Sequence, residues 1–302
     1  MDLLYPFREI YENYDDVAWW KTRLTDRLIG PIQERRKDSS FRVLDEDWDI
    51  LIVLDGCRED LFRECVDVSR FSTYSTRMSA GSATNEWSNK NFAGQALSDV
   101  VYVTGNPVVS REVKTAFRAF IEVWQEEFDE EIGTVPPEAV TNAAIDAMKR
   151  YPENRIIVHY LQPHYPFINY PELQYGSFGN TEEINAKSAK EGANHVWTAL
   201  DKGFVDEQTV WEAYRDNLHL VMESVEELLE EADGRVVITS DHGNLIGERA
   251  TPLRIPLYGH PPNIYHENLR RIPWAVVNEK EGSRGDDVED KIKERLRSLG
   301  YK

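Results

Sequence analysis

Cysteine is scarce in this sequence, and the patterns that cysteine usually supports are missing. Only Cys57 and Cys65 occur in 302 residues, and no CxxC pair or Cys/His cluster has zinc-finger spacing. If the segment around them is a helix, their separation places them about 12 Å apart along its axis, too far for a disulfide. We therefore expect two reduced thiols, which favours a cytoplasmic protein.

Long hydrophobic runs are also missing. No apolar stretch approaches the roughly 20 residues that span a bilayer. The first residues, MDLLYPFREIYENYDD, carry acids and lack the basic start and apolar centre of a signal peptide. Residues 1–45 are rich in Trp, Tyr and Leu, and we predict a helical extension packed on the core. Contact with a membrane surface is the less favoured alternative, because the segment is not strongly cationic.

Basic residues are fewer than acidic ones in this sequence. The chain has 35 Lys and Arg against 54 Asp and Glu, a formal net charge of −19. Such a surface repels the phosphates of nucleic acids, which argues against DNA or RNA as partners. Acidic clusters together with few lysines favour a halophilic protein, because salt screens the self-repulsion of such a surface. An ordinary acidic cytosolic protein is the alternative.

Apolar segments of strand length alternate with segments of helical periodicity. We predict strands within residues 47–60, 99–105, 154–167, 234–243 and 270–278, and helices at 109–128, 136–150, 206–234 and 286–300. This alternation predicts an α/β fold with a doubly wound, mainly parallel sheet and helices on both faces.

Residues that can bind a cation stand where the predicted strands end. Asp55 closes one apolar run, Asp241 and His242 close another, and His164 lies in the loop after a third. Each alone is more often a turn residue, but parallel strands bring their carboxyl ends to one edge. Carboxylate and imidazole ligands suit Zn²⁺ or Mn²⁺, and a set richer in oxygen would admit Mg²⁺ or Ca²⁺. The pattern favours a divalent metal site.

A family resemblance follows from four motifs and their order: VLDGCRED, LQPHYPF, ITSDHGNLIGE and YGHPPNIYHENLRRIP. The chain resembles the alkaline phosphatase/sulfatase superfamily, and most of all its sulfatase-type branch with the phosphoethanolamine and lipoteichoic acid transferases. The resemblance covers roughly residues 48–275 and implies a catalytic domain over 46–302. It also implies that Asp55, Asp241 and His242 are metal ligands.

The resemblance assigns further residues around the substrate. His164 and His260 match positions that contact the anionic group or a second metal, and His266 competes with His260 for that place. Arg58 follows Asp55 by about one helical turn and is a candidate substrate contact. A structural ion pair is the alternative for Arg58.

The nucleophile is expected in the stretch MSAGSATNEWSNKNF. Thr84 takes the place of the attacking residue, which also binds the metal, and Ser82 and Ser79 are alternatives. A helix-capping role is the structural alternative, although a helix start would also favour a bound anion. The formylglycine motif C-x-P-x-R is absent, and Gly56 stands where the formylglycine sulfatases carry a second Asp. Both departures favour Thr-based phosphoryl chemistry and one metal ion.

The resemblance therefore implies a metal-dependent hydrolase or transferase acting on a phosphate or sulfate ester, which includes phosphodiesters. The substrate would be an anionic sugar, lipid or small molecule, and His164 or His260 would orient it or protonate the leaving oxygen. Two alternatives stay open: a non-catalytic relative that binds an anion, and a sugar-phosphate mutase.

Overall fold

A seven-stranded sheet lies at the centre of the computed structural model, which describes residues 9–11, 14–15, 17–34, 41–176 and 182–277. The strand order is β2–β9–β6–β1–β5–β3–β4, and β7 and β8 form a separate pair. The strands are β1 (Ile50–Asp55), β2 (Thr73–Met78), β3 (Leu97–Thr104), β4 (Phe117–Glu122), β5 (Arg155–Pro163), β6 (Val236–Ser240), β7 (Leu245–Ala250), β8 (Ile255–Gly259) and β9 (Arg271–Val276).

The helices of the described residues lie mainly between these strands. They are α1 (Val17–Leu24), α2 (Gly30–Glu34), α3 (Glu59–Cys65), α4 (Thr84–Phe92), α5 (Pro107–Val113), α6 (Pro137–Arg150), α7 (Glu182–Glu191), α8 (Val196–Asp201), α9 (Glu207–Glu231) and α10 (Glu267–Arg270). A π-helical turn at Thr25–Ile29 joins α1 to α2.

Five neighbouring strands, β6, β1, β5, β3 and β4, run parallel. Strand β9 is antiparallel to β6, and β2 is antiparallel to β9. The prediction of an α/β fold with a mainly parallel sheet is therefore confirmed, as are the five predicted strands. Strand β2 was not predicted, because its sequence TYSTRM contains no apolar run and its side chains are exposed or half-buried.

Helices cover both faces of the sheet, as the sequence predicts. Ile50, Ile52 and Leu54 of β1 belong to the cluster that also contains buried side chains of α6 and α9. Leu51 and Val53 point the other way and pack with side chains of α4 and α5. A strand buried on both faces reads as a continuous apolar run, which explains the segment ILIVLD.

The helix predicted over 109–128 is wrong for most of its length. Helix α5 ends at Val113, and β4 follows at the edge of the sheet. Phe117 and Phe120 of β4 pack their rings on Tyr102 of β3, with centroids 4.8 and 5.1 Å apart. Pairing with β3 and this aromatic contact outweigh the helical periodicity of the segment. The helix predicted at 286–300 lies outside the described residues.

Residues of the N-terminal segment contact the β7–β8 pair. Ile29 is buried in a small cluster with Leu245, Ala250, Leu257, Ile264 and Leu269. The Lys21 ammonium is paired with the Asp201 carboxylate of α8. The division into an extension at 1–45 and a catalytic domain at 46–302 remains a prediction. Within the described part of the chain, no helix has both the length and the apolar character to cross a bilayer.

Candidate active site

Strand register brings two buried carboxylates together at the carboxyl edge of the sheet. Leu54 of β1 lies opposite Ser240 of β6, so Asp55 and Asp241 leave neighbouring strands side by side. Gly56 follows with a φ of +63°, and its amide donates to Asp241 Oδ1 at 2.9 Å. A Cβ at Gly56 would lie 2.9 Å from Asn244 Nδ2. A second Asp therefore cannot occupy this position without strain, which explains the glycine.

Each of the two carboxylates has one bonded oxygen and one oxygen without a hydrogen-bond partner. Asp55 Oδ2 accepts from the Asn106 amide and, at 3.4 Å, from Thr84 Oγ1. Asp241 Oδ1 accepts from the backbone amides of Gly56 and His242, both at 2.9 Å. Asp55 Oδ1 and Asp241 Oδ2 are buried and unpartnered among the described residues.

The two acids titrate in opposite directions. Burial, together with the negative charge of Asp241, raises the pKa of Asp55 well above its usual range. Burial also acts to raise the pKa of Asp241, but His242 and His159 and the amide of Gly56 outweigh it and lower that pKa. One carboxylate is thus strongly stabilised as an anion, and its neighbour lacks a compensating charge.

His242 points a ring nitrogen at this carboxylate pair. Its Nε2 lies 3.3 Å from Asp241 Oδ2, 3.7 Å from Asp55 Oδ1 and 3.2 Å from Thr84 Oγ1. Its Nδ1 lies 2.8 Å from the carbonyl oxygen of Gly243, which can only accept a hydrogen bond. A hydrogen is therefore assigned to Nδ1, and Nε2 faces the carboxylates, as the ligating nitrogen does in a metal-bound histidine.

His159 is a site residue that the sequence reasoning missed. It lies inside β5, and its buried Nε2 is 3.7 Å from Asp55 Oδ2 and 3.9 Å from Asp241 Oδ2. This nitrogen has no hydrogen-bond partner among the described residues, whereas Nδ1 lies 2.7 Å from the Tyr102 hydroxyl. Burial lowers the pKa of His159 to about 4, so the ring is neutral near pH 7. A histidine in the middle of a fully buried strand was the available signal.

These donors fit a divalent cation. Asp55, His159 and Asp241 offer ligand atoms that all lie within 4.8 Å of one another. His242 Nε2 lies near the same carboxylate oxygens, so the site offers a second imidazole nitrogen to such an ion. Two adjacent buried carboxylates without a counter-charge are strongly unfavourable, and a cation would supply it. Carboxylate oxygen with imidazole nitrogen is a donor set that Zn²⁺ and Mn²⁺ accept.

Thr84 lies at the first turn of α4 with its hydroxyl directed at the carboxylates. The N-cap residue is Ala83, and it makes no side-chain capping bond. The Thr84 hydroxyl instead lies 3.4 Å from Asp55 Oδ2 and 3.2 Å from His242 Nε2. The alternative hydroxyls are engaged elsewhere: Ser82 Oγ donates to the carbonyl of Pro261 at 2.9 Å, and Ser79 Oγ donates to the Asp241 carbonyl. The hydroxyl of Thr84 is therefore not used as a helix cap.

His164 and His260 form an imidazole pair beside His242. Their Nε2 atoms are 2.8 Å apart, and the His260 ring stacks on His242 with centroids 4.5 Å apart. Burial, followed by the influence of His242, lowers the pKa of His164 to about 4 and places that of His260 well below its usual value. Both rings are neutral near pH 7, so one ring donates its hydrogen to the other.

Arg58 and His266, the predicted substrate contacts, are bonded to other groups. The Arg58 guanidinium donates to Asp60 at 2.9 and 2.6 Å and to Glu248 at 2.6 Å. His266 precedes α10, and its Nδ1 accepts from the amide of Asn268 at 3.2 Å. The geometry of Arg58 is that of the structural ion pair considered as its alternative. Substrate contact by either residue remains a prediction.

The structure thus brings together six of the predicted site residues, Asp55, Thr84, His164, Asp241, His242 and His260.

Solved structures with a similar fold are phosphoethanolamine transferases of low sequence identity. The integral membrane lipooligosaccharide phosphoethanolamine transferase A of Neisseria meningitidis is 14% identical, with a TM-score of 0.50 over 81% of this chain and 49% of that protein. This chain therefore spans about half of that protein's length.

Two periplasmic domains are also similar. The C-terminal domain of the phosphoethanolamine transferase EptC from Campylobacter jejuni is 16% identical, with a TM-score of 0.48 over 77% of this chain and 79% of the domain. The corresponding EptC domain of Escherichia coli, solved in complex with Zn, is 14% identical, with a TM-score of 0.45 over 77% and 72%. No protein-family model matches the sequence, and no curated protein matches it.

These neighbours are members of the alkaline phosphatase/sulfatase superfamily, and the chain has the fold of that superfamily. The resemblance read from the four sequence motifs is confirmed at this level.

Proposed function

We propose that this chain is a metal-dependent enzyme that cleaves or transfers the phosphoryl or sulfuryl group of an ester, with Thr84 as the nucleophile. One observation carries the proposal. The Thr84 hydroxyl lies 3.4 Å from an oxygen of Asp55 and 3.2 Å from the ring nitrogen of His242, and one oxygen each of Asp55 and Asp241 is buried without a hydrogen-bond partner in the described chain. Unpartnered buried acceptors are costly, and a cation-binding site explains them.

Asp55, Asp241 and His242 would hold the cation, with Thr84 Oγ1 and His159 Nε2 as further donors. Zn²⁺ or Mn²⁺ suits these atoms best. A divalent cation held there supplies charge that lowers the pKa of the Thr84 hydroxyl and offsets the charge of the ester group.

The chain's own side chains and amides carry out the other steps of the reaction. The Thr84 hydroxyl gives its proton to Asp55 Oδ2, its hydrogen-bond acceptor, while Oγ1 forms the new bond to phosphorus or sulfur. Amides at the start of α4 donate to the non-bridging oxygens. The bond to the leaving oxygen breaks, and the neutral His164–His260 pair orients that oxygen by a hydrogen bond while it takes a proton from water or from the acceptor hydroxyl. The hydroxide or alkoxide so formed displaces Thr84, whose oxygen takes back the proton from Asp55, and this gives hydrolysis or transfer.

A phosphoryl group is the preferred substrate group. The sequence contains no formylglycine motif, and a threonine hydroxyl takes the nucleophile's place. The name of the Neisseria neighbour, a phosphoethanolamine transferase, supports the same choice. A cytoplasmic location and activity at high salt remain predictions from composition.

The test compares two changes at one position. Thr84→Ala should lower kcat at least about a thousandfold, as expected for a removed nucleophile, and should keep bound metal and fold. Thr84→Ser should retain part of the activity, because the hydroxyl remains and only the methyl that restricts its rotamer is lost. The substrates are an aryl phosphate, an aryl phosphodiester and an aryl sulfate, each with Mn²⁺ or Zn²⁺ in high salt.

Ser88→Ala is the matched control. Ser88 lies one turn farther along α4, and its hydroxyl donates to the Asn85 carbonyl at 3.2 Å. This variant should keep wild-type kcat. An active and stable Thr84→Ala protein would remove Thr84 from the mechanism. Bound metal without turnover of any ester in the wild type would favour the anion-binding alternative.

A further inference from the structure

Asn106 is a buried residue at the candidate active site, and the reaction described above gives it no role. Its side chain is 3% exposed, and its amide group donates to Asp55 Oδ2. Asn106 follows β3, and β5 lies between β3 and β1 in the sheet. The hydrogen bond therefore links Asp55 to a segment that does not pair with its own strand.

The first turn of α5 fixes the orientation of the Asn106 amide group. The backbone N–H of Val108 lies 2.7 Å from Asn106 Oδ1, and a backbone N–H can only donate. The atom that meets it is thus the amide oxygen, so the NH₂ group faces Asp55. The backbone of Asn106 is held as well, because its N–H donates to Thr104 Oγ1 at 2.8 Å.

This contact decides which oxygen of Asp55 is occupied. Oδ2 accepts from Asn106 and, at 3.4 Å, from Thr84, whereas Oδ1 is buried without a hydrogen-bond partner among the described residues. Asp55 Oδ1 lies 3.7 Å from His242 Nε2, and the unpartnered Oδ2 of Asp241 lies 3.3 Å from the same nitrogen. The free oxygens of the two carboxylates thus face one ring nitrogen.

The two carboxylates are held by different kinds of donor. Two backbone amides hold Asp241, whereas the donors to Asp55 are the side chains of Asn106 and Thr84. In the proposed reaction the Thr84 hydroxyl gives up its hydrogen, and Asn106 then remains as the donor to Asp55. A carboxylate torsion is broad unless a partner fixes it, so this one amide decides how the Asp55 oxygens are oriented.

We propose that Asn106 is a positioning residue, which fixes the Asp55 carboxylate so that Oδ1 is left for the cation and Oδ2 faces the Thr84 hydroxyl. The proposal rests on the proposed function for the cation and the reaction. A helix cap is the structural alternative, because Asn106 precedes Pro107 and caps α5, a common way for a helix to begin.

Asn106→Ser separates positioning from capping. Serine caps a helix about as well as asparagine, but its shorter side chain has no amide group that reaches Asp55. The Kd for Mn²⁺, measured by calorimetric titration, should rise about 10- to 100-fold, the loss typical of a group that supports a ligand. The visible absorption of bound Co²⁺ should change as well, because it reports the geometry of the ligands. Asn106→Ala removes the cap and the donor together, so it should show the same loss of affinity and a lower unfolding midpoint than Asn106→Ser.

Asp206→Ala is the matched control for a lost cap. Asp206 caps α9 by accepting from the backbone amide of Thr209 at 2.9 Å. This variant should lower the unfolding midpoint and keep the wild-type Kd for Mn²⁺ and the wild-type absorption of Co²⁺.

The outcomes separate the positioning role from the proposed function. Unchanged Mn²⁺ affinity and Co²⁺ absorption in Asn106→Ser would overturn the positioning role and leave the metal-dependent reaction in place. A raised KM for the ester with unchanged Mn²⁺ affinity would also overturn it, since Asn106 would then contact the substrate. Weaker Mn²⁺ binding in Asn106→Ser, together with no turnover of any ester by the wild type, would support the positioning role and contradict the enzyme. Absence of Mn²⁺ and Co²⁺ binding in the wild type would overturn both.

Discussion

Two groups of buried charges lie a few residues apart and differ in how completely they are partnered. Around Arg58, whose side chain is 6% exposed, the guanidinium donates to two carboxylates and to the Asn244 carbonyl. Glu248 also accepts from Asn268 at 2.7 Å. Around Asp55 and Asp241, two carboxylates lie side by side, and two of their oxygens and the His159 nitrogen have no hydrogen-bond partner in the described chain.

This difference in hydrogen bonding distinguishes a structural group of charges around Arg58 from a candidate binding site at Asp55 and Asp241. A buried charge with a full set of partners holds two segments together, and removal of one partner leaves the other charge uncompensated. A buried carboxylate pair without a counter-charge destabilises the fold unless something else binds there. The two groups should therefore respond to substitution with opposite changes in stability.

The largest effect is expected for Asp55→Asn. The substitution removes a charged ligand but keeps an oxygen that can accept from the Asn106 amide and the Thr84 hydroxyl. Metal affinity should fall by more than about a hundredfold, beyond the loss typical of groups that only support a ligand. The metal-free variant should be at least as stable as the metal-free wild type, because burial and the charge of Asp241 raise the pKa of Asp55, and a carboxylate with a raised pKa destabilises the fold when it is ionised. Elemental analysis and chemical denaturation measure the two quantities. Full metal content in the variant would remove Asp55 from the site.

Arg58→Ala should have the opposite effect on stability. It leaves Glu248, 26% exposed, and Asp60, 52% exposed, without their cation. Water can reach both carboxylates, so we expect a loss of about 1.5–3 kcal/mol, as for lost hydrogen bonds between charged groups. Urea unfolding with and without metal measures this loss. Arg58→Lys should keep KM for the ester unchanged if the residue is structural. A raised KM in a stable Arg58→Lys protein would restore the predicted role as a substrate contact.

Tyr102→Phe tests whether the unpartnered His159 nitrogen belongs to the metal site. If the Tyr102 oxygen accepts from Nδ1–H of His159, the Nε2 lone pair is directed at the carboxylates. Loss of such a supporting hydroxyl should weaken Mn²⁺ binding by about 10- to 100-fold, while the ring still stacks on Phe120.

Tyr160→Phe is the control, since it also removes a buried hydroxyl from the sheet, one that lies 2.6 Å from Thr141 Oγ1. Calorimetric titration with Mn²⁺ distinguishes the two variants. An unchanged Kd in Tyr102→Phe, or an equal loss in Tyr160→Phe, would show that His159 is held there for packing alone.

The sequence predicts the parts of this site that lie where a strand visibly ends. Asp55 and Asp241 were predicted because each follows a buried strand, and parallel strands end at one edge. His159 lies inside the run RIIVHYLQP, where one polar residue among apolar ones resembles a packed histidine. The contact between His164 and His260 joins residues 96 positions apart and cannot be read from spacing. Strand β4 was predicted as helix because its partner, β3, and not its own periodicity decides its structure.

The smallest effect is expected for Glu86→Gln, a substitution in the first turn of α4. The Glu86 carboxylate accepts from the amides of Ser82 at 2.9 Å and Asn263 at 3.0 Å, and it pairs with Lys90. It thereby ties the loop after β8 to the helix that positions Thr84. Glutamine keeps an oxygen acceptor but loses the charge, so we expect a loss of about 1.5 kcal/mol at pH 7 with little change in kcat.

The pH dependence of that loss identifies its cause. Burial opposes ionisation of Glu86, but the bonds from Lys90, Ser82 and Asn263 outweigh it and lower its pKa. A lowered pKa means that the charge stabilises the fold above the ordinary pKa of glutamate, and that this contribution disappears as pH falls through the folded-state value. The difference in unfolding free energy between wild type and Glu86→Gln should therefore shrink from pH 7 to pH 3. Lys90→Met serves as the control, because its exposed pair should contribute less than about 1 kcal/mol. An equal difference at both pH values would show that the shape of the Glu86 side chain, and not its charge, holds the loop to α4.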